Sequence, residues 1–478
     1  MKTAMKNRTI YLLVICASTL FTGCFEDIDD NPASTRDLND FVWRGLNTYY
    51  LYKDDVPDLA NDRFDTGSYE AFLNNYPSPE ALFEYLRYQP QTVDRFSWIT
   101  SNYIQLEQLL SGTTQNNGMD YGLMRYPDGS ENVFGYVGYV LPNSSASNQG
   151  VSRGTIFYAI DGIPLTTSNF NSLLRNTTYT INLADYNDNG TSQTSDDNIT
   201  PNGQSITLSK SSLTENPIFK TDIFEVAGEN VGYLMYNGFT RDFDSQLNAV
   251  FGQFQANNIQ NLVLDLRYNS GGSVNTAILL SSMIAGQTGN VFSTEEWNSD
   301  IQSQLSEAQT TNYFTDNDAG APLNILNLNK VYVLTTKRSA SASELVINSL
   351  DPYIDVVQIG TETAGKFQAS VTLYDAPDFR RANANPSHLY AMQPLVLKSL
   401  NAVGNTDYSQ GLFPEIPQSE NYSNMGTLGS ETEPLLATAL QLILDDSRLY
   451  LPQTEPLDLI GDKTNFLSIG NGMYKELD

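Results

Sequence analysis

The feature that most constrains this chain is the stretch from Val331 to Leu373, VYVLTTKRSASASELVINSLDPYIDVVQIGTETAGKFQASVTL. It opens on a short β-branched apolar run, Val331 to Leu334, of strand length. A small-residue corner follows, Ser339-Ala340-Ser341-Ala342-Ser343. Then Ala342, Leu345, Val346, Ser349 and Leu350 fall at i, i+3, i+4, i+7 and i+8, the spacing of one buried helix face. A second apolar run, Val356 to Gly360, leads to Gly365-Lys366, after which Phe367, Ala369, Val371 and Leu373 alternate as a strand does. A chain folded this way places a serine at a strand-to-helix corner and a lysine on a later turn, both at ends of buried strands. That is how a Ser–Lys nucleophile pair is built.

Simpler readings stand beside this one. Ser341-x-x-Glu344 is also a capping box, an ordinary helix start, and Lys366 alone reads as a solvated turn lysine. Gly360-Thr-Glu-Thr-Ala-Gly365-Lys366 matches the spacing of a phosphate loop, but its context excludes that role. Phe367 stands where a Ser or Thr must ligate Mg²⁺, Glu362 would repel phosphate, and a strand pattern follows where a helix is required.

Cysteine and histidine usage removes whole chemistries. The only cysteines are Cys16 and Cys24, and the only histidine is His388, in the loop-like Asn-Pro-Ser-His-Leu-Tyr. Lys2, Lys6 and Arg8 followed by the apolar run Ile10 to Phe21, too short to span a bilayer, form a secretory leader. Phe21-Thr-Gly-Cys24 resembles a bacterial lipobox, which implies removal of residues 1–23 and acylation of Cys24, a palmitate carrier. The other reading is a plain secretory signal with an incidental cysteine. Residues 24–33, beginning Phe25-Glu-Asp-Ile-Asp-Asp30 after the cysteine, look like an acidic tether to the outer membrane, at its periplasmic or cell-surface face. The mature chain then has no thiol nucleophile, disulfide or thiolate metal site. A Ser-His-Asp triad could use only His388, and an H-E-x-x-H zinc site is impossible. The base of a hydrolase here is almost forced to be lysine or a carboxylate.

The formal net charge of −29 falls to about −32 once the leader is removed, a surface that repels nucleic acid. With 40% hydrophobic residues and only 17% charged, the chain has a core's worth of apolar side chains. Residues 34–112 read as a helical N-terminal domain, with Phe41, Leu46, Tyr50, Leu82, Tyr85, Leu86, Leu106 and Leu110 near helical spacing. Residues 113–212 change to short strands and turns, and residues 213–478 alternate strand and helix with a C-terminal extension. The fold class expected is multi-domain α+β, its last domain an α/β core whose sites collect at strand C-terminal ends.

The motifs of that core are similar to those of the C-terminal processing peptidases (tail-specific proteases). S-A-S-A-S-E with G-K 25 positions beyond Ser341, then Leu264-Asp-Leu-Arg267-Tyr-Asn-Ser-Gly271-Gly272 resembling L-D-L-R-x-N-x-G-G, and Gly411-Leu-Phe-Pro414-Glu-Ile resembling G-x-x-P-D-I, occur in the family's order. The resemblance implies a crotonase/ClpP-like catalytic core, with Ser341 the nucleophile, Lys366 the base, and the N–H groups of Gly272 and Ala342 the oxyanion donors. It makes residues 113–212 PDZ-like, binding the C-terminal tails of peptide or protein substrates by strand addition. It implies no cofactor. Asp94-Arg-Phe-Ser-Trp98 resembles a segment that closes the family's helical domain. One departure stands out. Family members often place a lysine-orienting Gln four residues after the lysine, where this chain has Ser370, while its glutamine is Gln368. Either serves.

Two further expectations complete the reading. Asp185-Tyr-Asn187-Asp-Asn189-Gly190 with Asp196 fits the spacing of a calcium loop, but the terminal Glu is replaced and flanking helices are absent, so a turn rich in Asn and Asp is the better account. The expected function is a serine endopeptidase cutting exported proteins near their C-termini. The rival is a catalytically inactive surface lipoprotein that binds peptide or glycan.

Overall fold

A computed structural model describes residues 32–445, 456–466 and 472–477. The leader, Cys24 and most of the acidic tether lie outside the described residues. No helix among the described residues is long and apolar enough to cross a membrane.

The N-terminal region forms helices α1 (Thr35–Tyr49), α2 (Thr66–Asn74), α3 (Pro79–Leu86) and α4 (Tyr103–Leu110). Each begins on a side-chain cap, from Ser34, Asp65, Ser78 and Asn102, which satisfies N–H groups the first turn leaves free. The region is not purely helical as its periodicity suggests. Trp98–Thr100 is a strand pairing antiparallel with Ala391–Gln393, so a piece of the N-terminal segment is sewn into the C-terminal half of the chain. A residue so short in local pattern takes its conformation from its distant partner.

The β-rich second domain contains β1 (Thr113–Asn116), β2 (Met119–Arg125), β3 (Val133–Val140), β4 (Ile156–Ile160), α5 (Phe170–Leu174), β5 (Thr178–Asn187) and β6 (Asn198–Ser209). Its sheet runs β2-β3-β4-β5-β6, and β1 pairs with β7 (Ser211–Thr214) as a ribbon that leads chain in and out. The sequence boundary at 212 therefore falls inside that ribbon. The Asp/Asn segment is the β5–β6 connection, where the polar groups bond to one another. Asp185 accepts from Asn202 at 3.0 Å, Asn189 N–H donates to Asn187 at 3.0 Å, and Thr191 donates to Asp196 at 2.9 Å.

The third region is built on the sheet β8 (Ile218–Val226), β9 (Glu229–Tyr236), β10 (Asn261–Asp265), β11 (Lys330–Thr335) and β12 (Asp355–Gly360), in that order, with Ile416–Pro417 beyond. From β9 to β12 the pairing is parallel. Helices α6 (Asp244–Ala256), α7 (Val274–Ala285) and α8 (Ala342–Leu350) pack on one face, and α9 (Pro434–Asp445) on the other. The two-residue strand period sorts the core. Leu234, Tyr236, Leu262, Leu264, Val331 and Val333 face the first helical layer, while Tyr233, Met235, Val263, Tyr332 and Leu334 face α9 and the β-rich domain.

A second sheet beside it includes β13 (Gln368–Val371), antiparallel to β14 (Leu395–Leu400). Beyond α9 the described chain spreads over two sheets. Strand β15 (Leu459–Asp462) joins the edge of β2 in the β-rich domain, and β16 (Tyr474–Lys475) lies parallel to β13.

Candidate active site

Three neighbouring parallel strands end at one place. β10 runs into Arg267–Gly272, β11 into the corner at Ser341, and β12 into the turn at Lys366. Outside the carboxyl ends of such strands, adjacent connections diverge and leave a crevice. Gly271 and Gly272 have φ of +108° and +138°, a region open to glycine and strained for other residues. Space forbids side chains there too. A Cβ on Gly271 would lie 2.7 Å from that of Ser341, and one on Gly272 would lie 2.3 Å from the Phe239 carbonyl oxygen.

Ser341 is buried and held at φ +65°, ψ −110°, a strained conformation for a non-glycine residue at the head of a helix. What holds it is Glu344. Its carboxylate accepts the Ser341 N–H at 2.6 Å, the Thr363 hydroxyl at 2.5 Å, the Gly365 N–H at 2.7 Å and the Lys366 N–H at 2.9 Å. One buried acid thus ties the serine corner to the lysine turn. Burial raises its pKa, opposed by those four hydrogen bonds. The capping-box reading and the site reading are the same geometry. Glu344 receives the N-cap N–H as a helix start requires, and Ser341 Oγ faces the cleft, where it accepts the N–H of Met473.

Lys366 is only 3% exposed, not a solvated turn lysine. Its Nζ lies 5.0 Å from the centre of the Phe96 ring. Burial pushes its pKa down to about 8, with Asp94 and Glu344 opposing. The apolar cover comes from the segment after α3, not only from neighbours of the lysine. Arg95 also donates to the Gly365 carbonyl at 3.1 Å. The turn is clamped from a third side, since Leu412 N–H donates to Thr363 Oγ1 at 2.7 Å and a Cβ on Gly365 would meet the Ser409 carbonyl at 2.3 Å. The motif around Gly411 therefore packs against the lysine turn.

The remaining expected residues separate. Among the described residues no loop, turn or cap hydrogen bond engages the N–H groups of Gly272 and Ala342, which flank the Ser341 corner. The Ser370 hydroxyl donates to the Met473 carbonyl at 3.2 Å and to Gln393 at 3.4 Å, not to Lys366. Gln368 turns to the N-terminal domain, where its Nε2 donates to Tyr52 at 2.9 Å and its Oε1 is buried without a hydrogen-bond partner. His388 pairs with Asp375 at 3.0 Å, but its other ring nitrogen accepts the Tyr390 N–H, so it offers no nitrogen to a serine. Among the described residues no group of three or more His, Cys, Asp or Glu is placed to hold a metal ion.

Two family models match this chain, Peptidase family S41 over residues 230–378 and the Peptidase S41 N-terminal domain over residues 37–98. Both regions are thus similar to peptidase family S41. It is 24% identical over 247 residues to a carboxyl-terminal-processing protease of Picosynechococcus sp.. That match covers 52% of this chain and 53% of the relative, so the chain spans about half the relative's length. A solved S41-type protein of Bacteroides fragilis superposes with a TM-score of 0.61 and 28% identity, over 85% of this chain and 98% of that one. The photosystem II D1 C-terminal processing protease gives a TM-score of 0.48 and 17% identity, over 84% and 100%.

The sequence alone did not reveal the places of Phe96, Asp94, Thr363 and Glu344 at the site. Glu344 was visible as the end of the capping box. Phe96 and Asp94 lay in the segment assigned to closing the helical domain, and nothing local ties that segment to Lys366.

Proposed function

We propose that this protein is a serine endopeptidase in which Ser341 is the nucleophile and Lys366 the general base. The observation that carries this reading is that Ser341 Oγ and Lys366 Nζ border one peptide unit. Met473 N–H donates to Oγ, and Nζ lies where a Cβ on the preceding Gly472 would fall, 1.6 Å away. A serine hydroxyl is a weak nucleophile until a base takes its proton. The buried amine, neutral in appreciable fraction near pH 8, accepts that proton as Oγ bonds to the scissile carbonyl carbon. The carbonyl oxygen gathers negative charge between the N–H groups of Gly272 and Ala342. Collapse breaks the C–N bond, and the ammonium of Lys366 returns the proton to the departing amine. The acyl-enzyme is then hydrolysed by water that gives its proton to the same lysine.

The substrates in this reading are exported proteins or peptides cut near their C-termini. The β-rich domain acts as a PDZ-like module, taking the tail as an added strand. Cys24, once acylated, anchors the enzyme to the outer membrane on its periplasmic or cell-surface face. Purified Ser341→Ala and Lys366→Ala should each lose at least about 10³-fold in peptide cleavage. Cleavage by either variant at the parent's rate would overturn the reading.

A further inference from the structure

The last described segments of the chain occupy both places that the proposed function gives to a substrate. At the β-rich domain, β15 adds antiparallel to the outer edge of β2, with Leu459 opposite Met124 and Asp462 opposite Gly122. Arg125 N–H donates to the Asp458 carbonyl at 3.0 Å, and Ile460 packs against the core that contains Phe170 and Leu174 of α5. Charge holds the strand's end. Asp462 meets Arg338 at 2.9 Å, and Lys463 meets Asp120 at 3.0 Å and Glu215 at 3.1 Å. Arg338 is three residues before Ser341 and also grips Asp120 of β2 at 2.8 Å, so this end of the strand already touches the nucleophile's loop.

At the catalytic cleft the same tail enters as β16. Tyr474 N–H donates to the Gly272 carbonyl and Ser370 N–H to the Met473 carbonyl, both at 3.0 Å. Lys475 pairs with Glu295 at 2.8 Å, and Met473 is fully buried. The register is unproductive. Ser341 Oγ receives an amide N–H, and the Met473 carbonyl turns to Ser370, away from the N–H groups of Gly272 and Ala342. The oxygen lone pair that would attack is engaged by a hydrogen bond.

We propose that the edge of β2 and the cleft over Ser341 form one polypeptide-binding site, and that the described tail segments, residues 458–463 at the first and 472–475 at the second, are its resident, self-inhibiting occupants. The proposal rests on the reading of Ser341 as nucleophile only for its inhibitory half. A substrate enters as an extended chain that displaces these segments from both stations. It carries an apolar side chain where Ile460 sits and a small residue where Gly472 sits, since a larger one there must push the Lys366 amine aside. A tethered occupant competes at millimolar effective concentration, so external peptides meet a closed enzyme until the tail is released.

The experiment compares the full chain, Gly472→Val in the full chain, and a chain ending at residue 455. The rate of Ser341 labelling by a fluorophosphonate is measured for each. A fluorescein-labelled peptide of residues 456–478 is also titrated, by anisotropy, against the truncated chain carrying Ser341→Ala. Labelling about tenfold faster in Gly472→Val and in the truncated chain, with the free peptide binding and slowing it again, is expected. Equal labelling of all three, or a peptide that does not bind, overturns the proposal. Binding without labelling of any form supports the site and sinks the reading of Ser341 as nucleophile. Should the truncated chain not fold, Gly472→Val alone decides, by faster labelling or by none gained.

Discussion

An ammonium loses its hydration when it is buried, and Lys366 carries that cost in the folded state. Its pKa of about 8 lies below the ordinary 10.5, so between these values the unfolded chain binds more protons than the folded one. Stability therefore rises with pH across that window, and below about 8 the full cost is present. Two outcomes follow. Peptide cleavage by the full-length enzyme should climb as pH rises through about 8, in a kcat/KM profile. Lys366→Met should abolish cleavage while stabilising the fold at pH 7 by up to about 3 kcal/mol in urea denaturation. A variant less stable than the parent would show that the lysine is not held against its hydration.

At the scale of elements, the site depends on connections that leave no room for adjustment. The β10–α7 connection turns through Gly271 and Gly272 at positive φ, and the β11–α8 corner holds Ser341 in strain by the carboxylate of Glu344. Gly272→Ala should push the loop off the Phe239 carbonyl and displace the N–H group proposed to bind the oxyanion. The expected result is a fall in kcat of about 10²–10³ with KM little changed, in steady-state kinetics. Glu344→Gln sets an amide NH₂ against a ring of four donors. It should cost about 1–3 kcal/mol in denaturant titration and lower kcat together with stability.

Across the whole molecule, the domains are joined by a buried ionic cluster beneath the sheet. Arg267, fully buried, bonds Asp265 at 2.9 Å and Glu433 at 2.6 Å, and Glu420 links it to Arg153 of the β-rich domain. Glu433 also caps α9 by accepting the Leu436 N–H at 2.9 Å. Removing Glu433 takes two short bonds from a buried guanidinium that then keeps only Asp265 and Glu420, and takes the cap from α9. Glu433→Ala should therefore cost about 3–5 kcal/mol, read as a lower urea midpoint at unchanged slope.

The sequence by itself determined the alternation of strand and helix, the serine corner, the lysine turn and the order of the three motifs. These are local periodicities of two and 3.6 residues, and the physics that produces them acts within a few positions. Val331–Leu334 and the helix face from Ala342 to Leu350 were legible for that reason. Tertiary structure alone decided that Lys366 is dry, because Phe96 reaches it from another domain. It also sent Gln368 to Tyr52 and Ser370 to Met473, although both lay at plausible spacing from the lysine. It placed β15 and β16, strands too short to carry a period of their own. Their conformation comes from the hydrogen bonds of partners far away in the chain, and such partners become neighbours only once the fold has formed.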